Sequence, residues 1–198
     1  MGGHHNGNIA SQIVVEKFQQ ELLEVSQEID MESNTISKRL AFAYLQHAVE
    51  QSTLEIESYA QKNNINDIIG ATVVGMLHLK ESEKLVLFHL GDSRIYRIRD
   101  TIEGITEDHS GELNQLNKNM LSKAIGNFNT FDIEIEFIDY KSEDTFLICT
   151  DGVYNSITDK EMFDIISQRR DVCSNLKEII YKNGANDNLT AVILTMES

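Results

Sequence analysis

The sequence predicts an α+β fold in which neighbouring strands are mostly antiparallel. Three observations support this prediction: two long helical patterns open the chain, a run of short strand patterns follows, and two further helical patterns precede a closing strand. The length of 198 residues fits one domain, residues 1–198, and is sufficient to bury a substantial core.

Two long helices are predicted in the first third of the chain. Apolar residues between Ile9 and Ile29 recur on one face of an amphipathic helix. A polar break at Asp30 to Thr35 follows, and a second helical face then runs from Ile36 to about Asn64. Two sequential helices joined by a short polar turn are typical of an antiparallel pair lying on one face of a sheet.

After Gly70 the periodicity changes from helical to that of strands. The segment 145–150 is short and mostly apolar, which is typical of a strand buried on both faces. Helices are predicted over about 159–168 and 172–182. The predicted strands are 71–78, 84–90, 94–99, 131–138, 145–150 and 188–196.

Composition and charge narrow the possible functions. No segment approaches the roughly 18 apolar residues of a membrane span, and no secretory signal pattern is present, so a cytoplasmic location is expected. The net charge of −15, without any basic cluster, argues against nucleic acid as a partner, and a membrane partner is not expected either. Neither Cys149 nor Cys173 has zinc-site spacing, and both are expected to be buried, reduced thiols.

Three short blocks each place an aspartate at one end of an apolar run. They contain Asp92 (in LFHLGDSR), Asp151 (in FLICTDG) and Asp187 (in NDNLTAVIL). A carboxylate beside a buried strand is costly to desolvate unless something neutralises it. A divalent cation is the usual reason for acidic side chains from distant segments to converge. The pattern therefore favours a shared metal site.

Each block taken alone also has a simpler structural interpretation. Gly91, Asp92 and Ser93 are ordinary turn residues and suit a hairpin. Asp151 suits a helix cap after a strand, and Asp187 suits an Asx-type turn. Two other metal-binding classes lack their required motifs, because the sequence contains neither a GxxxxGK[ST] phosphate loop nor a calcium-binding Asp-x-Asp-x-Asp-Gly loop.

In this order the blocks resemble those of the metal-dependent serine/threonine protein phosphatases, the type 2C or PPM family. Met1 to Ser11 is similar to the family's Asp-Gly-Met-Gly-Gly-His segment, beginning after its Asp-Gly. Gly70–Thr72 resembles a family strand start. Ile105–Ser110 and Leu121–Gly126 resemble the two ends of a flexible flap, here a short one, and the resemblance continues to about Thr195.

The resemblance implies a fold and a chemistry. The fold would be an antiparallel β-sandwich flanked by pairs of antiparallel helices, a four-layer α-β-β-α arrangement that is incomplete at its N-terminal side. The reaction would be hydrolysis of phosphoserine and phosphothreonine in proteins by a metal-bridged water, with two or three Mn²⁺ or Mg²⁺ ions.

The resemblance also assigns roles to individual residues. Asp151 and Asp187 would be catalytic metal ligands, and Asp92 would hold a looser additional ion. It identifies no substrate-binding residue. The remaining motif residues would be structural: Gly2, Gly3, His4, Gly91, Ser93, Arg94, Gly152 and Asn188.

The implied partner is a phosphorylated protein, with a serine/threonine kinase as the enzyme whose action is opposed. In the family, an aspartate just upstream of the position of Met1 bridges both metals, and this sequence does not contain it. We therefore expect a fragment, a catalytically inactive phosphatase-like module that binds partners, or an enzyme in which His4 or His5 substitutes for the ligand. His109, in the flap-opening loop, is expected to have a structural role rather than an acid/base one.

Overall fold

A computed structural model describes residues 6–28, 38–79, 84–109, 123–126, 132–185 and 187–197. These residues form two compact units. The first unit takes in the described residues up to Gly91 and from His109 to Asp139, and the second takes in Asp92–Asp108 and those from Tyr140 onwards. The elements are α1 Gly7–Glu28, α2 Lys38–Lys62, β1 Gly70–Ala71, β2 Val73–Leu79, β3 Lys84–Leu90, β4 Arg94–Ile98, β5 Ile102–Gly104, β6 Ile125–Gly126, β7 Glu134–Asp139, β8 Thr145–Cys149, α3 Asp151–Tyr154, α4 Asp159–Ile166, α5 Val172–Lys182 and β9 Ala191–Thr195.

The first unit combines two long helices with an antiparallel sheet of strand order β2-β3-β7 and a short β1-β6 ladder. Helix α1 presents apolar residues at helical spacing to its core, and Phe18 stacks on Phe88 of β3 with ring centroids 5.7 Å apart. Burial of this apolar stripe, rather than helix propensity, provides most of the helix's stability. The core of the unit includes Ala10, Ile13, Val14, Phe18, Leu45, Val49, Ile56, Phe88 and Leu90.

The second unit contains an antiparallel sheet of strand order β5-β4-β8-β9 together with helices α3 to α5. Strand β8 lies between β4 and β9, and four of its five residues are buried. Helix α4 begins with a capping box in which the Thr158 and Glu161 side chains each bond the other's backbone amide. Met162, Ile166, Leu176 and Ile180 of the two longer helices pack in the same core as Leu147.

The predicted α+β class with antiparallel sheets is confirmed, and the long helices and main strands lie close to their predicted positions. Three expectations need correction. Gly91–Ser93 is not a hairpin turn, because β3 pairs with β2 and β7 while β4 pairs with β5 and β8. The closing strand begins at Ala191 rather than at residue 188. Cys149 is buried as predicted, but Cys173 is exposed. Across the described ranges, no helix is both long and apolar enough to span a membrane.

Candidate metal centre

The register of the second unit's sheet brings three aspartates to one edge. Arg94 at the start of β4 pairs with Cys149 at the end of β8, and Cys149 pairs with Ala191 at the start of β9. Asp92 precedes Arg94, Asp151 follows Cys149 and Asp187 precedes Ala191. Because adjacent strands run in opposite directions, these strand ends lie at the same edge of the sheet. The three predicted ligands therefore share that edge.

Two hydrogen bonds join the segment that carries Asp151 to the one that carries Asp187. The Thr150 amide donates to the Thr190 carbonyl at 3.1 Å, and the Thr190 amide donates to Thr150 Oγ1 at 3.0 Å. A Cβ atom on Gly152 would lie 2.2 Å from the carbonyl oxygen of Asn188. Glycine at position 152 thus permits the close approach of these two segments.

The carboxylates of Asp151 and Asp187 are each fixed by their own turn. Asp151 Oδ1 accepts a hydrogen bond from the Gly152 amide at 2.9 Å, and Asp187 Oδ1 accepts one from the Asn188 amide at 2.7 Å. Asp151 is half-buried and Asp187 is exposed. Each hydrogen bond engages the Oδ1 atom of its aspartate and thereby orients the Oδ2 atom relative to the turn.

Asp92 is held through its backbone and is electrostatically coupled to Asp151. The Tyr154 hydroxyl donates to the Asp92 carbonyl at 2.9 Å. Burial raises the pKa of the Asp92 carboxyl, and the nearby negative charge of Asp151 raises it further. A cation at this edge would favour the ionised carboxylate and so oppose the effects of burial and of Asp151.

Arg94 organises the surroundings of Asp92. Its guanidinium donates two hydrogen bonds to Asp108, at 2.8 and 2.7 Å, and a third to the Tyr96 hydroxyl at 2.9 Å. Its charge also lies 3.6 Å from the ring centroid of Tyr154. These hydrogen bonds, above all those to Asp108, raise the pKa of Arg94, so the side chain is a permanent positive charge.

A second cluster of ligand-type side chains lies in the first unit. The ligand atoms of His89, His109 and Glu134 all fall within 4.8 Å of one another. Of the described residues, these three and not the aspartates bring their ligand atoms this close together. The sequence pattern missed Glu134, which alternation marks only as a residue on the exposed face of a strand. Only the register between β3 and β7, which pairs Glu134 with His89, reveals that Glu134 belongs to this cluster.

The other predicted motif residues divide between described and undescribed parts of the chain. Gly2, Gly3 and His4 lie outside the described residues, as does the flap interior from residue 110 to 122. Gly91 has a φ of +127°, a conformation that favours glycine, and a Cβ there would lie 2.3 Å from the Thr72 side chain. Ser93, two residues further along the chain, is buried.

Comparisons with known proteins cover nearly the whole chain. A profile of the family described as protein phosphatase 2C matches residues 1–192. The serine/threonine phosphatase stp of Listeria welshimeri is 26% identical over 212 residues, which span 98% of this chain and 81% of that protein.

Two solved structures show the same fold. PppA, a key regulatory component of T6SS in Pseudomonas aeruginosa, is 26% identical with a TM-score of 0.78, covering 98% of this chain and 81% of its own. The catalytic domain of the serine/threonine protein phosphatase PstP, solved in complex with two manganese ions, is 22% identical with a TM-score of 0.76, covering 100% and 85%.

Proposed function

Because the chain belongs to the protein phosphatase 2C family, we propose that it hydrolyses phosphoserine and phosphothreonine in proteins with the help of Mn²⁺ or Mg²⁺. The observation that carries this proposal is the convergence of Asp92, Asp151 and Asp187 on one sheet edge, through the Arg94–Cys149–Ala191 register. The similarity to a serine/threonine phosphatase of Listeria welshimeri supports the substrate class.

The donor set at this edge fits a hard divalent cation. Carboxylate oxygens are the preferred protein ligands of Mg²⁺ and Mn²⁺. Burial raises the pKa of Asp92 and the negative charge of Asp151 raises it further, so a cation here would offset the repulsion between the two carboxylates. Asp151 and Asp187 would hold the catalytic ions and Asp92 an additional one. Such ions, when bound, lower the pKa of a water molecule and neutralise charge on phosphoryl oxygens.

The protein's own residues would supply the position and orientation of the carboxylates. Gly152 and the paired backbones of Thr150 and Thr190 keep the two ligand-bearing segments together. A covalent route through the cysteine in β8 is disfavoured, because burial raises the pKa of the Cys149 thiol to about 12 and keeps it protonated near neutral pH.

A second candidate function is a phosphatase-like module that binds partners without turnover. The observation that favours it is the geometry of the aspartates, which share an edge but do not form a compact ligand group among the described residues, and Asp187 is exposed. Both candidates use the same fold, so activity and ion binding must be measured separately.

The test is release of inorganic phosphate from a phosphothreonine peptide, with Mn²⁺ and with EDTA. We expect Mn²⁺-dependent turnover that EDTA abolishes and that Asp151→Asn lowers by about 100-fold or more, since the loss of even a supporting residue around a metal commonly costs 10–100-fold. Asp132→Asn makes the same charge change at an exposed position and should leave turnover unchanged.

The outcomes separate the two candidates. Mn²⁺ binding that depends on Asp151 without any turnover would support the binding module. Turnover that survives EDTA would contradict the metal-dependent mechanism.

A further inference from the structure

We propose that Glu134 and His109 act as a positioning pair that fixes the backbone of Gly91 and, through it, the placement of Asp92. Glu134 accepts a hydrogen bond from one ring nitrogen of His109, and the other ring nitrogen accepts the Gly91 amide. The inference rests on the proposed function only in treating Asp92 as a cation ligand.

The contacts form a continuous chain within the first unit. His109 Nε2 lies 2.7 Å from Glu134 Oε1, and the Gly91 amide donates to His109 Nδ1 at 3.0 Å. The backbone closes the same contact, because the His109 amide donates to the Gly91 carbonyl at 2.9 Å. Gly91 is thus bound to His109 at two points, and the next residue along the chain is Asp92.

The Gly91 amide and the Glu134 carboxylate favour the same tautomer of His109. A ring nitrogen that accepts a hydrogen bond carries no hydrogen, so the neutral imidazole must carry its hydrogen on Nε2. That hydrogen points at Glu134 Oε1. The carboxylate therefore selects the tautomer in which Nδ1 is an acceptor, and the Gly91 contact depends on Glu134 without touching it.

The same geometry argues against a metal ion at His89, His109 and Glu134. Nε2 of His109 would have to lose its hydrogen before it could bind an ion, and in a neutral ring that hydrogen would move to Nδ1 and face the Gly91 N–H. An ion at Nε2 would therefore break both of these side-chain contacts of His109, the one to Glu134 and the one from Gly91. The short contact to Glu134 and the 4.0 Å separation of His89 Nε2 from Glu134 Oε2 fit a hydrogen-bonded pair better than a symmetric ligand set.

The charged and titratable groups around His109 come from three segments. Glu134 lies on β7, His89 on β3 with its ring stacked 4.7 Å from that of His109, and Lys123 just before β6, 3.4 Å from Glu134 Oε1. Burial lowers the pKa of His109, and Glu134 partly opposes this while His89 and Lys123 add to it. Protonation below this pKa converts Nδ1 from acceptor to donor and breaks the Gly91 contact.

The variants are chosen to separate the side-chain contact of His109 with Glu134 from its side-chain contact with Gly91. In His109→Asn the amide oxygen takes the place of Nδ1 and still accepts the Gly91 amide. In His109→Gln the amide nitrogen takes the place of Nε2 and only the Glu134 contact is kept. Glu134→Gln removes the charge of the pair, and Glu136→Gln makes the same change two residues along the same strand, at another exposed position.

The experiment follows the ¹⁵N shifts of His109 and the amide signals of Gly91 and Asp92 by NMR, in the metal-free chain across a pH series. We expect the Nε2–H tautomer at neutral pH. We expect amide exchange at Gly91 to be about fivefold faster in His109→Gln, the equivalent of one net hydrogen bond, and near wild type in His109→Asn. The Asp92 amide shift should move with that of Gly91.

The pH midpoint is the readout that a merely structural role would not move. In the wild type, Gly91 protection should fall as the pH passes through the pKa of His109, below the ordinary value of about 6.5. Glu134→Gln should move this midpoint to lower pH, because the carboxylate no longer stabilises the imidazolium. Glu136→Gln should leave it in place.

Three results would overturn the proposal. They are an Nδ1–H tautomer, a pH midpoint of Gly91 protection that Glu134→Gln does not move, or an Asp92 amide shift that His109→Gln does not change. If equimolar Zn²⁺ displaced the His109 ring hydrogen, His89, His109 and Glu134 would be a metal site and the proposed positioning pair would be wrong. A later Mg²⁺ titration tests the proposed function separately. If Mg²⁺ leaves the Asp92 signal unchanged in the wild type, the ligand role of Asp92 fails while the Gly91 results still stand.

Discussion

Asp144 is a buried carboxylate in the second unit whose charge is stabilised by hydrogen bonds. Its side chain is fully buried, receives two hydrogen bonds of 2.5 Å from Arg99, and accepts the Lys141 amide at 2.9 Å. Burial alone would raise the pKa of Asp144, but the Arg99 guanidinium and the Lys141 amide more than offset this and hold it below its usual range. The ionised form is therefore part of the native structure.

Asp144→Asn should lower the free energy of unfolding by about 2 kcal/mol at pH 7, less than for a fully buried pair because Arg99 is partly exposed. A depressed folded pKa means that the stabilisation is present above the unfolded pKa of about 4 and is lost as the pH falls through the folded pKa. The difference between wild type and variant should therefore shrink below about pH 4. Urea denaturation at several pH values measures it.

Asp139→Asn is the control for this prediction, because Asp139 is exposed and pairs with Lys84 at 3.0 Å on the surface. It should change stability by no more than about 0.5 kcal/mol. A wild-type advantage over Asp144→Asn that stayed constant from neutral to acid pH would refute the role given to ionised Asp144.

At the scale of elements, the decisive feature is the junction between the end of β8 and the segment that leads into β9. Gly152 lies in the helical turn α3, where alanine would suit the backbone, so only the contact with the Asn188 carbonyl restricts the residue type. This contact keeps the segments carrying Asp151 and Asp187 side by side.

Gly152→Ala should therefore force the two segments apart. We expect a loss of about 2 kcal/mol in the free energy of unfolding from overpacking, and weaker Mn²⁺ binding because Asp187 moves away from Asp151. Thermal unfolding and calorimetric titration measure the two effects. Gly104→Ala is the control, since its Cβ would meet Tyr96 at an ordinary 3.7 Å. Wild-type affinity in Gly152→Ala would show that the two aspartates do not act together.

Periodicity predicted those elements that bury a regular apolar face. It located α1, α2 and the buried strands β3 and β8, because each repeats apolar residues over enough positions to show a period. The elements that it missed are too short for a period: β5, β6 and α3 have two to four residues each, and the two-residue β1 was not separated from β2. The β1–β6 ladder pairs Gly70 with Gly126, a contact between distant segments that local pattern cannot reveal.

The candidate site divides along the same line. Asp92, Asp151 and Asp187 could be singled out as candidates because each lies at one end of an apolar run, where an unneutralised carboxylate is costly. Glu134 could not, because only the pairing of β7 with β3 places it opposite His89 and close to His109. Local chemistry is visible in sequence, whereas the register between distant strands is not.

At the scale of the whole molecule, the net charge of −15 affects any measurement of ion binding. An acidic surface attracts divalent cations without a specific site, and it repels a phosphorylated substrate unless cations offset it. Salt near 0.15 M screens surface charges over about 8 Å, so the weak surface contribution falls there while a coordinated ion remains. A charge-matched variant is needed to separate ion binding at a specific site from ion attraction by the acidic surface.

The most direct test of the metal centre is a calorimetric Mn²⁺ titration of the wild type, Asp151→Asn and Asp132→Asn in about 0.15 M salt. We predict micromolar-to-millimolar Mn²⁺ binding that is retained in Asp132→Asn and lost in Asp151→Asn, with all three chains folded by circular dichroism. Equal binding by the wild type and Asp151→Asn would contradict the assignment of the sheet edge as a metal site.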